Sequence, residues 1–427
     1  MEIDSVNIVL PIGAQNILNV LNKNGYAAYV IGGCVRDSII GNGMAVKDWD
    51  ITTDATPDQV EQLFNDTIPT GKQFGTITIK SDGELYEVTT FRSDGNYSDG
   101  RRPDHVVFGK ALQEDVERRD FTINSIAYNP TTGIIDLQNS IADISNKIIR
   151  TIGTASDRFN EDALRILRGI RFAFRYDFSI DHSTLAAMLN LGYGALNQSS
   201  NILNNVSNER IHSEIVQILS YKVPDIKLYE AVFPIIKSIL LDNDHISKIE
   251  FNNSGDIYTN CDNALLKIAY IYCQAKYTTI DAETKLRDLK FSNSEIKEII
   301  NYMKIYTGIV FSTKCEQVDL SMLFRVLIYE TCIEDVRKSL LLFMAISNCK
   351  SLIELESILT KQEKSCTKLS QLAVNGDDMI NLGVKPNKIG TILDDLLREV
   401  VANPELNSRN ILLEKAKNII VMDEEVR

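Results

Sequence analysis

The strongest constraint on the fold is a change in sequence pattern near residue 140. Upstream, short apolar runs such as 27–31 alternate with helical segments, and Asp82-Gly83 separates two runs of strand-like composition. Downstream, apolar residues recur at helical spacing, as they do over 163–174. The sequence therefore predicts an α+β protein, with a mixed α/β domain at the N-terminus followed by all-α domains.

Length, composition and cysteine content exclude several classes of protein. The 427-residue chain is 44% hydrophobic and 24% charged, which is typical of a folded protein of about three domains. No apolar run approaches the ~20 residues of a membrane span, and the start of the chain lacks a signal-peptide pattern. The seven cysteines form no Cys-x-x-Cys pair, unlike those of a zinc knuckle. We expect a cytoplasmic protein with no membrane partner.

The net charge of −13 counts against a nucleic-acid partner, but the choice of cation differs along the chain. Residues 1–220 contain 13 Arg and 6 Lys, whereas residues 221–427 contain 6 Arg and 20 Lys. Guanidinium groups suit phosphates and base edges better than ammonium groups do. We therefore expect the specific chemistry to lie in the first half of the chain.

Paired carboxylates stand at the start of a predicted strand. Asp48 and Asp50 flank Trp49, and alternation along an extended chain places both carboxylates on one face, about 7 Å apart. Carboxylates this close repel each other unless a cation such as Mg²⁺ lies between them. Glu87, in the strand predicted over 85–91, is the candidate third carboxylate of a two-metal phosphoryl-transfer site. A solvated strand edge is the alternative interpretation.

A glycine pair lies between the first predicted strand and the first predicted helix. Gly32 and Gly33 would let the backbone approach a ligand, and the N-terminus of the helix would present free N–H groups to phosphates. Arg36, within the first turn, adds a cation. The alternative is a tight turn with a surface pair between Arg36 and Asp37. The short distance in sequence to Asp48 favours a phosphate site beside a metal site.

Two adjacent arginines precede a further segment of strand-like composition. Arg118 and Arg119 can reach a triphosphate or a ribose, and the amide of Asn124 can contact a sugar hydroxyl or a base. The alternative is that both arginines pair only with the acidic residues of segment 114–117.

A helical stripe of arginines is the most informative motif. Four arginines recur at spacings of three, three and four residues, which places them along one helix face. They are Arg165, Arg168, Arg171 and Arg175. Glu161 and Asp162 precede Arg165 by four and three residues and can fix its orientation. An Asp acceptor beside an Arg donor can match the hydrogen-bonding edge of a base. An exposed, salt-bridged helix is the alternative.

Taken in order, these motifs resemble those of the class II tRNA nucleotidyltransferases, the CCA-adding enzymes of the polymerase-β-like nucleotidyltransferase superfamily. Segment 32–50 is similar to the family's metal and triphosphate motif, and segment 118–124 to its ribose-contacting motif. Segment 161–165 resembles the motif in which Asp and Arg pair with the incoming base in place of a template. Because several motifs occur in register, the resemblance is specific.

Other segments extend the resemblance beyond these motifs. Segment 91–103 resembles the family's flexible loop, segment 208–211 the end of its neck domain, and segment 376–390 the tail of the Bacillus-type enzymes. The similarity is sparse over 220–370. The chain contains only four histidines, with no second metal-ligand cluster after the neck, so we expect no phosphohydrolase activity.

The resemblance implies a particular domain order, cofactor and set of partners. The implied domains are a catalytic head at 1–140, a nucleotide-selecting neck at 141–220, a body at 221–365 and a tRNA-binding tail at 366–427. Mg²⁺ is the implied cofactor. The implied partners are CTP, ATP and the acceptor arm and elbow of tRNA, with no protein partner.

The expected site residues fall into three groups. Asp48 and Asp50 are the expected metal ligands, and Glu87 joins them as the third catalytic residue. The expected nucleotide-binding residues are Gly32, Gly33, Arg36, Arg119, Asp120, Asn124, Asp162, Arg165, Arg168 and Arg171. The expected tRNA-binding residues are Arg175, Lys385 and Lys388.

Related activities remain open at this point. The same family includes poly(A) polymerases and enzymes that add only part of CCA. CC-adding relatives lack the flexible loop, whereas the segment 92–103 is intact here, which favours full CCA addition or addition of A alone. A non-catalytic tRNA-binding relative is a further alternative, although intact carboxylates at Asp48 and Asp50 argue against it.

Overall fold

The chain folds into two compact units, Met1–Ile239 and Leu240–Arg427. In the computed structural model the residues described are 8–41, 46, 48–95, 105–193, 201–223, 225–246, 261–314, 319–347 and 352–425. The finer division into head, neck, body and tail stays a prediction.

The first unit is built on a seven-stranded mixed sheet with strand order β3-β4-β5-β2-β1-β8-β9. Its strands are β1 (Ala28–Ile31), β2 (Ile51–Thr53), β3 (Thr67–Gly71), β4 (Thr76–Ser81), β5 (Glu84–Thr90), β8 (Ala127–Asn129) and β9 (Gly133–Ile135). Strand β2 runs antiparallel to β1 and parallel to β5, and the other pairs are antiparallel. The mixed α/β head expected from the sequence is confirmed.

Two short ladders complete the β-structure of the first unit. Strands β6 (Arg92–Asp94) and β7 (Val106–Phe108) form an antiparallel pair. Strands β10 (Ile148–Ile149) and β11 (Ser179–Ile180) form a parallel pair within the part of the chain predicted to be wholly helical. The segment after Arg119, which has strand-like composition, is not a strand. Its residues Thr122–Asn124 form a short 3₁₀ turn instead.

The helices of the first unit follow the sequence signals closely. They are α1 (Ile12–Lys23), α2 (Gly33–Ile40), α3 (Pro57–Leu63), α4 (Leu112–Glu117), α5 (Ser140–Ser145), α6 (Ala155–Glu161), α7 (Leu164–Tyr176), α8 (His182–Gly192), α9 (Asn208–Ser220) and α10 (Ile226–Leu240). Helix α3 begins with Pro57 after a capping box between Thr56 and Gln59, as the Thr-Pro signal predicts. Helix α7 buries its apolar face, including Leu167 and Ile170.

The described part of the second unit is helical. Its helices are α11 (Asn243–Ile246), α12 (Ala264–Gln274), α13 (Thr279–Asp288), α14 (Asn293–Lys314), α15 (Leu320–Glu330), α16 (Ile333–Ser347), α17 (Leu352–Gln362), α18 (Gly376–Asn381), α19 (Pro386–Ala402) and α20 (Arg409–Glu425). Leu396 of α19 and Leu412 of α20 lie in one apolar core, and Phe324 of α15 lies in another. Buried Arg325 joins the two cores by donating to the carbonyl oxygens of Val401 and Ala402.

The described helices include no candidate membrane span. Within the described residues, no helix combines the length and the apolar character that crossing a bilayer requires.

Candidate active site

Strand pairing brings together the carboxylates that the sequence singled out. The parallel register of β2 with β5 pairs Ile51 with Val88, which places Asp50 beside Glu87 at the end of the same ladder. The backbone oxygen of Asp50 accepts a hydrogen bond from Ile31 N at 3.0 Å, so the chain is already extended there. Trp49 is buried on the opposite side, as alternation predicts. Asp48 and Asp50 are exposed.

The electrostatics of Asp50 reflect this crowding of negative charge. Desolvation by the surrounding protein raises the pKa of Asp50 to about 6, and the charges on Glu87 and Asp48 act in the same direction. The Arg119 guanidinium partly offsets this shift. Asp50 thus keeps part of its surface exposed while the surrounding protein desolvates its carboxylate. A cation bound there would relieve the repulsion.

The donor set suits Mg²⁺ in part. Carboxylate oxygens are the ligands that Mg²⁺ prefers, and Asp48, Asp50 and Glu87 are close enough for the charges of the other two to raise the pKa of Asp50. Among the described residues, no group of three or more His, Cys, Asp or Glu side chains is arranged closely enough to enclose a metal. The chemistry of the Asp48 and Asp50 carboxylates fits Mg²⁺, and their role as metal ligands, like that of Glu87, stays a prediction.

The glycine turn has a backbone shape that residues other than glycine adopt only with strain. Gly32 has φ +88° and ψ −131°, and Gly33 begins helix α2. A Cβ on Gly32 would lie 3.2 Å from Arg119 Nη1, so the missing side chain makes room for that guanidinium. Gly32 and Arg119 thus form one surface next to Asp50.

Arg36 pairs with Asp37, as the alternative interpretation expected, but it is buried rather than on the surface. Its side chain is 4% exposed, pairs with Asp37 at 2.8 Å and donates to the side-chain oxygen of Asn124. Its guanidinium lies over the rings of Phe172 and Tyr176, at 5.2 and 4.7 Å from their centroids. In this structure Arg36 joins α2 to α7, and a direct contact with phosphate stays a prediction.

The ribose-motif residues form a buried network. Asn124 Nδ2 donates to Asp120 Oδ1 at 2.9 Å, and Arg168 donates to Asp120 Oδ2 at 2.7 Å. Burial alone would raise the pKa of Asp120, but the Arg168 charge and these hydrogen bonds outweigh it and hold the pKa well below its usual range. Asp120 therefore links the 3₁₀ turn to helix α7 as a carboxylate.

Asp162 and Arg165 are the residues expected to select the base; Arg165 has the Glu161 partner that the spacing predicts, whereas Asp162 has a different one. Arg165 pairs with Glu161 and donates to the backbone oxygen of Arg118 at 3.3 Å. The carboxylate of Asp162 pairs instead with Arg210 of α9 at 2.7 Å. The expectation that Asp162 orients Arg165 through its side chain is therefore wrong for this structure, because Arg210 competes for that carboxylate. Arg210 stands in the segment 208–211, which the resemblance had marked without giving the residue a role.

The arginines of the helical stripe each pair with a carboxylate inside the protein. Arg171 and Glu214 form a buried ion pair at 2.7 Å, each about 9% exposed at the side chain. Arg175 approaches Asp37 at 3.6 Å. Sequence reasoning missed Glu214, since its only signal is a position on α9 that faces α7. This helix face is salt-bridged, as the alternative interpretation expected, but Arg171 is buried rather than exposed, and binding of substrate by these arginines stays a prediction.

Two predicted features remain, the loop over 91–103 and the lysines of the tail. Arg92–Asp94 and Val106–Phe108 form the base of the loop predicted over 91–103, and residues 96–104 lie outside the described part of the chain. Lys385 is the exposed N-cap residue of α19, and Lys388 lies half-buried in its first turn.

Comparison with known proteins decides the family. The chain is 32% identical to the CCA-adding enzyme of Ligilactobacillus salivarius over 425 residues, covering 95% of this chain and 96% of the relative. It is 34% identical to the CCA-adding enzyme of Staphylococcus epidermidis over 423 residues, covering 94% and 96%. The chain belongs to the CCA-adding enzyme family.

Domain profiles and solved structures agree with membership of the CCA-adding enzyme family. Residues 28–150 match the Poly A polymerase head domain, and residues 260–416 match tRNA nucleotidyltransferase domain 2. The Bacillus stearothermophilus CCA-adding enzyme in complex with CTP superimposes with a TM-score of 0.69, 25% identity and coverage of 97% of this chain and 98% of that chain. The Thermotoga maritima CCA-adding enzyme complexed with tRNA shares the fold at a TM-score of 0.65 and 20% identity, covering 95% and 94%. The predicted family, fold class and enzyme class, a nucleotidyltransferase, are confirmed.

Proposed function

We propose that this chain adds cytidine, cytidine and adenosine to the 3′ end of tRNA, using CTP and ATP and no nucleic-acid template. The observation that carries the proposal is the near full-length similarity to CCA-adding enzymes. The convergence of Asp50, Glu87, Arg119 and Gly32 at one sheet end provides a place for the chemistry.

The head residues hold the reacting groups. Mg²⁺, held by Asp48 and Asp50, would supply positive charge to the attacking hydroxyl and to the leaving pyrophosphate. Gly32, which has no side chain, leaves room for the Arg119 guanidinium, and the partly exposed Arg119 would contact the triphosphate. The tRNA 3′-hydroxyl then attacks the α-phosphate in line, and pyrophosphate leaves.

The neck residues read the base. Arg165 presents a planar donor fork at the start of α7, and Asp162 presents acceptors at the end of α6. Glu161 holds Arg165, and Arg210 holds Asp162, so both groups are oriented before a nucleotide arrives. A base whose edge pairs with the Asp162 acceptor and the Arg165 guanidinium is selected without a template strand.

The tail offers cations to tRNA. Lys385 and Lys388 lie at the N-terminus of α19, and α19 packs on α18 and α20 within the second unit. Since a net charge of −13 repels a polyanion at long range, binding needs such local positive groups.

The experiment that tests this function incubates the purified chain with Mg²⁺ and a tRNA that ends at its discriminator base. CTP, ATP, UTP and GTP are supplied singly and as a mixture, and products are resolved to single nucleotides. CTP alone should add two residues, and CTP with ATP should add three and stop. Addition of A alone, of a long A tail, or of nothing would point to an A-adding enzyme, a poly(A) polymerase or a non-catalytic relative, respectively.

A further inference from the structure

A completely buried carboxylate stands behind the candidate active site. Asp115 lies in the first turn of α4 and is 0% exposed. Its Oδ1 accepts from Arg118 Nε at 2.9 Å, and its Oδ2 accepts from Arg119 Nη2 at 3.0 Å. The hydroxyl of Thr52, on strand β2, lies 3.3 Å from the same Oδ2. Each oxygen therefore serves a different arginine.

These contacts make Asp115 a fixed negative charge. Burial opposes ionisation of Asp115, but the charges of Arg119 and Arg118 and their hydrogen bonds outweigh it and lower the pKa. The two guanidinium groups and one hydroxyl occupy both oxygens, as a buried carboxylate requires.

The far side of Arg119 faces the reaction site. Its Nη1 lies at the Gly32 turn and 3.4 Å from the backbone oxygen of Asn124. Its charge also acts on Asp50, and the side chain is 18% exposed. Arg119 thus lies between Asp115, which binds its guanidinium, and Asp50, whose negative charge attracts it.

Removing the negative charge of Asp115 would change the balance of attractions on Arg119. Without the Asp115 charge, the guanidinium would be drawn toward Asp50 and its neighbours, since opposite charges at short range in partly desolvated surroundings attract strongly. There it would compete with a metal and would leave the glycine turn.

We propose that Asp115 is a positioning residue that holds the Arg119 guanidinium at the Gly32 turn, ready for a triphosphate, and keeps it away from Asp48 and Asp50. The inference rests on the proposed function, since it assumes that this turn receives the triphosphate of CTP or ATP. It gives the pairing of Arg118 and Arg119 with segment 114–117 a role in the reaction.

The test compares Asp115→Asn with a matched control, Asp143→Asn. Asp143 is also a buried carboxylate shared between an arginine and a threonine, and it accepts hydrogen bonds from Arg150 and Thr122 rather than from Arg119. CTP binding is measured with Mg²⁺ through the fluorescence of Trp49, the one tryptophan in the chain. Asp115→Asn should weaken CTP binding about tenfold, the scale of one hydrogen bond to a charged group, while Asp143→Asn binds as the wild type does. Equal weakening in both variants would overturn the proposal.

A double-mutant cycle separates positioning from general loss of structure. If Asp115 acts through Arg119, adding Asp115→Asn to Arg119→Gln should change CTP affinity less than twofold. A further tenfold loss in the double mutant would show that Asp115 acts by another route.

A third variant keeps the proposal testable if Asp115→Asn does not fold. Arg119→Lys retains the charge, but a single ammonium cannot contact Asp115 and the Gly32 turn together. It should bind CTP about tenfold more weakly than the wild type, and wild-type affinity would refute the positioning role. Absence of CTP binding by the wild type would overturn the proposed function, whereas normal binding by wild type and Asp115→Asn alike would overturn only the role of Asp115.

Discussion

The glycine turn allows backbone strain to be separated from its effect on the active site. Gly32 and Gly83 both have positive φ, +88° and +82°, so alanine is strained at either position, by about 1–3 kcal/mol of stability. Their surroundings differ. A Cβ at Gly83 meets nothing within 4 Å, whereas a Cβ at Gly32 lies 3.2 Å from Arg119 Nη1 and displaces it by a few tenths of an ångström.

Gly32→Ala should therefore lose function that Gly83→Ala retains. Urea unfolding followed by Trp49 fluorescence should show a loss of stability in both variants. The KM for CTP should rise about tenfold in Gly32→Ala alone, which corresponds to about 1.4 kcal/mol of lost binding. The reasoning is refuted if both variants raise KM equally, or if Gly32→Ala leaves KM unchanged while losing stability.

Three further expectations follow from single contacts. Because the pKa of Asp50 is raised to about 6, metal-free Asp50→Asn should exceed the wild type in stability at pH 7 and equal it near pH 4, as urea unfolding across pH would reveal. Glu214→Ala should destabilise the protein by about 3–5 kcal/mol by leaving Arg171 charged and buried, while Arg171→Met with Glu214→Leu should restore most of that loss in the same assay. Replacing Lys385 and Lys388 with Gln should weaken tRNA binding and flatten its log–log salt dependence by about 0.7–0.9 per lost contact, with an unchanged KM for CTP, in filter binding and kinetics.

Local signals in the sequence predicted local structure well. The Asp82-Gly83 turn has positive φ at both residues, as the hairpin between β4 and β5 requires. Trp49 is buried while Asp48 and Asp50 are exposed, which period-two alternation already indicated. These outcomes depend on residues within a few positions of one another.

Long-range partners could not be predicted from the same signals. Helical spacing placed the arginines of α7 on one face, but their partners come from distant parts of the chain, and spacing carries no information about them. Those partners are Asp120 for Arg168, Glu214 for Arg171 and Asp37 for Arg175. Likewise, Asn124 lies in a 3₁₀ turn rather than a strand, because Asp120 and Arg36 both hold its amide.

The adjacent positions of Asp50 and Glu87 could be predicted from the sequence only in part. The sequence supplied both carboxylates and a reason for them to approach, namely a shared cation. Only the parallel pairing of β2 with β5, two strands separated by α3, β3 and β4 in the chain, sets their register. A one-residue slip would have turned Glu87 to the other face.

The most direct test of the account measures incorporation of all four nucleotides into tRNA by Asp50→Asn and Arg165→Ala, beside the wild type. The account assigns transfer to the head carboxylates and choice of base to the neck. Asp50→Asn should therefore lose addition of C and of A by several orders of magnitude, whereas Arg165→Ala should still transfer but incorporate UTP and GTP more often relative to CTP. Near-normal turnover in Asp50→Asn, or an equal loss for all four nucleotides with unchanged selectivity in Arg165→Ala, would contradict it.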